Sequence, residues 1–374
     1  MTSISHLIEQ FPEEWEQTLS AWGEPRFRAG QVFRWIHHRG VLDPMRMTDL
    51  PHSLRERLQA EGLCQPITLQ NTLASTDGTQ KLLFGLHDHS SIESVIIPPL
   101  ANDDPTPDGW VTQCISSQVG CAIGCVFCAS GVAGFGRHLT AAEIVAQVLI
   151  TRQSLAEGQS LRRLVFMGMG EPLHNYDAVV RALRLLMHPK GLAFSPRRIT
   201  VSTSGLVPEI DRFGREFSGL VQLAISLHAP NDDLRTKLMP INKRYGLGEL
   251  IACLRRYPLS KRSRFTIEYI LINGINDSIE HANDLARCLR GLPVKVNLIP
   301  MNPIADSSLL PPSPSNVDAF QRRLCTLQLS TFVRKQRGDD IAAACGQLAL
   351  LGKKPKPRSA TLLTNAWSKT LERN

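Results

Sequence analysis

The 374-residue chain is predicted to be an α/β protein built mainly on a partial βα barrel of the TIM type, and three observations carry that prediction. Apolar runs of strand length recur from residue 111 onward: VTQCIS, RLVFMG, RITVST, LAISLH, FTIEYILI, VKVNLIPM and STFVRKQ. Helix-length connectors separate most of them, the pattern of parallel βα units. Chemistry-bearing residues cluster where strands end, as GCAIGCVFC follows VTQCIS, GMGEP follows RLVF, and His228 ends LAISLH. An open doubly wound sheet shares this pattern; a partial or full barrel fits it.

Upstream of residue 111 the texture differs. Phe11, Trp15, Leu19 and Trp22, then Phe27, Val32, Phe33 and Ile36, recur at helical spacing with Gly23 and Gly40 as punctuation. Residues 1–64 are therefore expected to form a small helical module. PITLQNTLAS, KLLFGLH and IESVIIPP read as strands around an Asp77-Gly78 turn. With the Pro- and Asp-rich loop that follows, they make a hairpin extension and linker over 65–110. The barrel occupies 111–350, and 351–374, which opens on GKKPKPR after Leu351, is a basic flexible tail.

Composition narrows the class. With 43% hydrophobic and 20% charged residues the chain can bury a large core. No run of eighteen apolar residues occurs, and MTSISHLIEQFPEEWEQ lacks the basic-then-apolar order of a signal peptide. A cytoplasmic protein with no membrane association is expected. The net charge of +8 suits a polyanionic partner. Arg197 and Arg198, Lys243 and Arg244, Lys261 with Arg262 and Arg264, and Arg334 with Lys335 and Arg337 form recurring basic clusters, which are either solvated charge or an interaction face. Nine cysteines over this length point to metal or thiol chemistry rather than a disulfide scaffold.

Cys121, Cys125 and Cys128 stand three and then two residues apart. A structural zinc site usually closes with four protein ligands from paired CxxC units, and no second CxxC exists in the chain. Three thiolates on an iron-sulfur cube leave one iron open to a small molecule. Phe127 is placed to pack over such a cluster or, equally simply, in the core.

The CxxxCxxC loop after a first barrel strand resembles the radical S-adenosylmethionine superfamily. CISSQVGCAIGCVFC, VFMGMGEPLHNYD, SPRRITVSTSG, AISLHAPND, NLIPMNP and VRKQRGDDIAAACGQL together resemble RlmN-type dual-specificity RNA methyltransferases over roughly residues 90–350. The resemblance implies a 4Fe-4S cluster on Cys121, Cys125 and Cys128, with S-adenosylmethionine on the open iron. It implies methylation of adenine carbon 2 in 23S ribosomal RNA and in transfer RNA next to the anticodon; a sister group methylates carbon 8. Carbon 2 is electron-poor, so direct methyl displacement onto it fails and a radical route is needed. On this resemblance Cys345 becomes S-methylcysteine, a radical on that methyl adds to the adenine, and Cys114 resolves the adduct by a transient disulfide with Cys345. Glu93 matches the position of the proton acceptor, with an exposed strand-edge carboxylate as the alternative.

Further cofactor contacts carry over by position to Gly170, Glu171, Ser202, Ser226, Leu227, His228 and Asn302. Singly, His228 also reads as a satisfied structural histidine and Ser202 as a strand-end hydrogen bonder. Cys64, Cys253, Cys288 and Cys325 read as packing residues. RFRAGQVFRWIHHRG interleaves Arg26, Arg28, Arg34 and Arg39 with Phe27, Phe33 and Trp35, so the N-terminal module is the expected RNA grip, unless those apolar residues are core. A flavodoxin-type electron donor and a monomeric state complete the expectation. Two departures stand out: the PLANDDPTPDGW loop is long, and FGRHL replaces the family's usual FNRNL. A zinc-stabilised RNA-binding protein and a radical enzyme acting on a small molecule remain alternatives.

Overall fold

The computed structural model describes residues 7–99, 109–304 and 307–348. The tail 351–374 and most of the long Pro/Asp-rich loop lie outside the described residues. The N-terminal segment is helical over Pro12–Ala21, Phe27–Phe33 and His52–Ala60, with the second helix continuing into a wider turn at Arg34–His38. The Phe11 N–H donates to Glu14 Oε2 at 2.7 Å, starting the first helix, and its apolar stripe buries Trp15 and Leu19 completely. The module is bolted to the barrel by polar contacts: Arg181 donates to the Glu9 carbonyl (2.9 Å), Ala142 N–H to Glu9 Oε1 (2.9 Å) and Arg152 to the His38 carbonyl (2.8 Å).

The extension forms three antiparallel strands, β1 (Ile67–Ala74), β2 (Gln80–Leu86) and β3 (Ser91–Ile97). It does not stand apart. β3 pairs antiparallel with β4 (Trp110–Cys114), Val95 opposite Cys114, and so joins the barrel sheet. A small ribbon of β5 (Gln118–Gly120) and β6 (Phe135–His138) brackets the cysteine loop. Its strands are too short for periodicity to reveal. From β4 the sheet is parallel through β7 (Ser160–Phe166), β8 (Ile199–Thr203), β9 (Gln222–Ser226), β10 (Phe265–Leu271), β11 (Val294–Pro300) and β12 (Thr331–Val333). Each apolar run of the sequence is one of these strands.

Strand alternation divides the sheet's two faces. Ile199, Val201, Leu223, Ile225, Ile267, Tyr269, Val296 and Leu298 are buried in one core with residues of the covering helices, such as Ile144, Leu183, Ile210 and Leu250. The other face carries Ser202, Ser226, Glu268 and Asn297 into the barrel interior. Among the described residues no helix is long and apolar enough to cross a membrane.

β1 and β12 end the sheet without pairing to each other, and side chains close the seam instead. Arg337 donates to the carbonyls of Asp77 (3.3 Å) and Pro98 (3.2 Å), and Gly338 N–H to Asp77 Oδ2 (3.1 Å). Thr76 N–H donates to Asp340 Oδ2 (3.2 Å), and Lys81 Nζ to the Ala342 carbonyl (3.2 Å). Burial opposes ionisation of Asp77, yet hydrogen bonds from Thr79, Gly338 and Ser75 outweigh it and hold the carboxyl down at about 2. A folded-state value below the ordinary one stabilises the seam above the ordinary value, and the benefit is lost as pH falls through the folded value. Asp77→Asn should therefore speed amide hydrogen exchange across 337–348 at neutral pH. In the native sequence the same loosening should appear only as the pH drops from about 4 toward about 2.

Candidate active site

The cysteine loop is shaped by backbone that excludes side chains. Gly120 has φ +71, and a Cβ there would lie 1.9 Å from the Gly134 carbonyl oxygen, the atom that accepts the Cys121 N–H at 2.9 Å. Val126 N–H donates to the Leu238 carbonyl (3.1 Å) and Cys128 N–H to the Cys125 carbonyl (3.3 Å) before a short helix begins at Ala129. Burial pushes the Cys121 thiol up to about 12 and raises Cys125 and Cys128, and the sulfurs lie near enough for their negative charges to oppose one another. Phe127 is buried, its ring meeting His228 edge-on at 4.8 Å.

A polar shelf lies beside the loop, on the ends of β7 to β10. Gly170 has φ +102, and a Cβ there would press within 2.6 Å of Gln118, so only glycine admits that packing. Glu171 is buried; its oxygens accept the N–H groups of Leu173 (3.1 Å) and Ser204 (2.7 Å), while burial raises its pKa. Ser202 and Ser226 face each other at 3.5 Å between Oγ atoms. The Leu227 side chain is core, and its N–H donates to the Glu268 carbonyl (3.1 Å). His228 has φ +59 and its Nδ1 accepts from Ile270 N–H at 3.0 Å; burial lowers its pKa to about 3, so the ring is neutral with its proton on Nε2. The ring is thus held by the Ile270 amide on one side and meets Phe127 of the cysteine loop on the other.

The two distant cysteines are brought together. Cys345 lines a cavity of about 370 Å³ with Asn302, Arg334, Val95 and Thr79, within the range of about 300–1,000 Å³ usual for ligand sites. Asn302 Nδ2 holds the Cys345 carbonyl at 2.8 Å, and Gln336 holds Asn302 Oδ1 at 2.6 Å. Burial pushes the Cys114 thiol up to about 12; the neighbouring Cys345 sulfur adds to this and the Arg334 guanidinium opposes it. Arg334 is itself shifted upward, by Cys345 first and then by Glu268 and Cys114. Glu93 is buried rather than exposed at a strand edge; it sits on the face of β3 shared with Val95, paired with the equally buried Lys81 at 3.3 Å.

Several of these residues gave no recognisable sign in the sequence. Arg334 reads there as one of a surface basic cluster, and only the closed seam turns it inward. Arg235 is fully buried and donates to the carbonyls of Ser204 (2.6 Å), Ser226 (3.3 Å) and Leu227 (3.2 Å), tying the ends of β8 and β9 to one cation. The expectation that Cys325 packs internally is corrected: it is exposed, because its helix buries Val317, Phe320 and Leu324 and the next residue turns about 100° away. In the N-terminal module Phe33 and Trp35 are buried, whereas Phe27 is 63% exposed under Arg28.

Residues 115–286 match the radical SAM superfamily, and residues 7–62 match the ribosomal RNA large subunit methyltransferase N-terminal domain. A radical SAM methyltransferase from Sphaerobacter thermophilus is similar in structure, with a TM-score of 0.85 and 47% identity, covering 91% of this chain and 98% of that one. Fold and site thus define a radical S-adenosylmethionine protein. A dual-specificity RNA methyltransferase RlmN of Sorangium cellulosum is 55% identical across 95% of this chain and 98% of its own length; one from Syntrophobacter fumaroxidans is 47% identical across 90% and 94%. The chain belongs to the RlmN family of dual-specificity RNA methyltransferases.

Membership of the superfamily implies a 4Fe-4S cluster and S-adenosylmethionine, and the residues present fit both. Among the described residues no three His, Cys, Asp or Glu side chains converge as one chelated ion requires. A cube instead gives each thiolate its own iron. Three clustered thiols kept protonated by burial and mutual repulsion are relieved by binding iron, which deprotonates them. In the metal-free protein at neutral pH, alkylation should mark Cys325 and Cys345 while Cys114 and Cys253, buried and raised to about 12, stay protected; peptide mass spectrometry reads the difference.

Proposed function

We propose that the chain methylates carbon 2 of adenine in 23S ribosomal RNA and in transfer RNA next to the anticodon. The observation that carries this reading is the placement of Cys345 and Cys114 together beside Arg334, within electrostatic reach of Cys128 in the cysteine loop. Simple hydrogen abstraction from a small molecule does not by itself call for two cysteines held together apart from Cys121, Cys125 and Cys128. A radical methyl transfer through sulfur requires both.

Cys121, Cys125 and Cys128 would hold the cluster, and Gly170, Glu171, Ser202, Ser226, Leu227, His228 and Asn302 the S-adenosylmethionine. Cluster and cofactor together supply a 5′-deoxyadenosyl radical able to abstract hydrogen from a methyl group. Gly170 lets backbone approach the cofactor, and Glu171 offers a buried carboxylate to an ammonium. Cys345 carries the methyl group, with the Arg334 guanidinium beside it in the cavity. Glu93 is the proton acceptor for the adenine ring hydrogen, with Lys81 compensating its charge inside the protein. Cys114 closes a disulfide with Cys345 to free the methylated base, and the same guanidinium favours its thiolate at that moment.

Residues 1–64 serve as the RNA-binding module, 65–110 as extension and linker, 111–350 as the methyltransferase core and 351–374 as a basic tail. The chain works as a cytoplasmic monomer fed by an external donor such as a flavodoxin. The polar burial of Lys81 and Glu93 and the net charge of +8 support a site that receives an RNA base.

Anaerobic reconstitution should give a brown protein that Cys125→Ala cannot form, together with loss of methyl transfer. Cys345→Ala should bind S-adenosylmethionine yet methylate no RNA, and Cys114→Ala should accumulate a protein–RNA crosslink visible on a denaturing gel. Free methylated RNA at the native rate from either variant would refute the paired-cysteine scheme. Nucleoside mass spectrometry then distinguishes carbon 2 from carbon 8 products.

A further inference from the structure

We propose that Phe135, His138 and His174 form a wall beside the cysteine loop on which an unstacked RNA base flanking the target adenine stacks. The inference rests on the RNA methyltransferase reading. Phe135 is 44% exposed at the start of β6, directly opposite Gly120, the residue before the first cluster cysteine. His138 ends the same strand, and His174 lies three residues beyond Glu171, so one wall draws on both the cysteine loop and the cofactor shelf. The rings meet at centroid distances of 5.1 Å (Phe135 to His138), 5.8 Å (Phe135 to His174) and 4.9 Å (His138 to His174). All three are solvent-exposed. Val132, three residues before Phe135 in sequence, is also exposed, at 55%.

Hydrogen bonding fixes what these rings present. Glu171 N–H donates to Gln118 Oε1 at 2.9 Å, which sets the orientation of the Gln118 amide. Its Nε2 must then donate to Nδ1 of His138 (3.0 Å) and Nδ1 of His174 (3.1 Å). A nitrogen that accepts carries no proton, so on both rings Nδ1 is the acceptor and Nε2, on the edge turned away from Gln118, is the N–H donor. Burial and the neighbouring His174 lower the pKa of His138, in keeping with a neutral ring.

The wall therefore offers one exposed phenyl ring and two oriented N–H donors. A splayed RNA base matches this chemistry: a flat π-face to stack and edge acceptors to receive the N–H groups. A protein partner is a poorer match, because a stable protein interface spans about 800 Å² per partner, whereas three rings are sized for one or two bases. Gln118 also packs against Gly170, so the amide that orients the wall touches the cofactor shelf as well.

The test uses the reconstituted enzyme with an RNA hairpin whose loop carries the target adenine. Phe135→Ala should raise the KM for this RNA about tenfold, leaving the turnover rate at saturating RNA and the affinity for S-adenosylmethionine unchanged. Phe135→Trp should restore the native KM, and its added indole emission, taken as the difference from the native enzyme, should be quenched by the hairpin. A native KM in Phe135→Ala, or an unquenched indole, overturns the wall while leaving the methyltransferase reading intact. A slower reduction by the electron donor with unchanged RNA KM assigns the surface to a protein and likewise overturns it. Native enzyme that neither binds nor methylates the hairpin overturns the activity itself, and the wall with it.

Discussion

Closure of the open barrel seam by the segment after β12 is the constraint on which the site depends. A ladder between β1 and β12 would seal the interior; its absence leaves the two edge strands unjoined. The segment 337–348 fills that gap, held to the β1–β2 turn by Arg337, Gly338 and Asp340 and to the cysteine loop from the other side. Ala129 N–H donates to the Gly346 carbonyl at 2.7 Å, and Ser130 Oγ donates to the Leu348 carbonyl at 2.6 Å. Cys345 thus sits between two anchored ends, more than two hundred residues in sequence from the loop it faces. A residue so placed can swing a side chain without its backbone leaving the site.

Electrostatics inside the closed seam follow from the same geometry. Burial, with the neighbouring Cys345 sulfur adding to it, keeps the Cys114 thiol protonated. Arg334 opposes that burial, and Glu268, raised by burial but drawn back by Arg334 and a 3.1 Å hydrogen bond from Asn297, completes a chain of charge across the interior. The cation serves both sulfurs at once, so whichever of them is ionised finds the same counter-charge. Breaking such a buried arrangement by deleting one partner is costly, since the remaining charge stays desolvated.

Much of this was legible in the sequence. Apolar runs marked each parallel strand because at least one face of each is buried, β10 on both faces and β8 and β11 at alternate positions, and Asp77-Gly78 marked the hairpin because its turn needs a positive φ, found at +82 for Gly78. The cysteine spacing and GMGEP were readable for the same reason, as local backbone constraints written into adjacent residues. Arg334, Arg235 and Lys81 were not readable, because a buried cation looks like a surface one until the partners that satisfy it are assembled from distant strands. Glu93 is the converse case: on a strand taken for an edge it reads as exposed, and it is buried because β3 pairs on both sides. The β5–β6 ribbon escaped notice because strands of three and four residues carry no period.

The distribution of polarity explains why an open barrel suits a macromolecular substrate. A closed barrel fills its interior with apolar layers and confines chemistry to one mouth. Here the interior face carries Ser202, Ser226, Glu268 and Asn297, and the cavity reaches from Thr79 and Pro98 on the extension to Ile299 on β11 and Arg337 beyond β12. An adenine leaving its stack needs polar partners for its edge and a passage wide enough for the attached backbone. The cavity at the seam is lined by such partners, Asn302, Gln336 and Arg334, and is bounded by side-chain contacts rather than by a strand ladder. The contacts that position Cys345 therefore also set the dimensions of the entrance, and a substitution that loosened one would loosen the other.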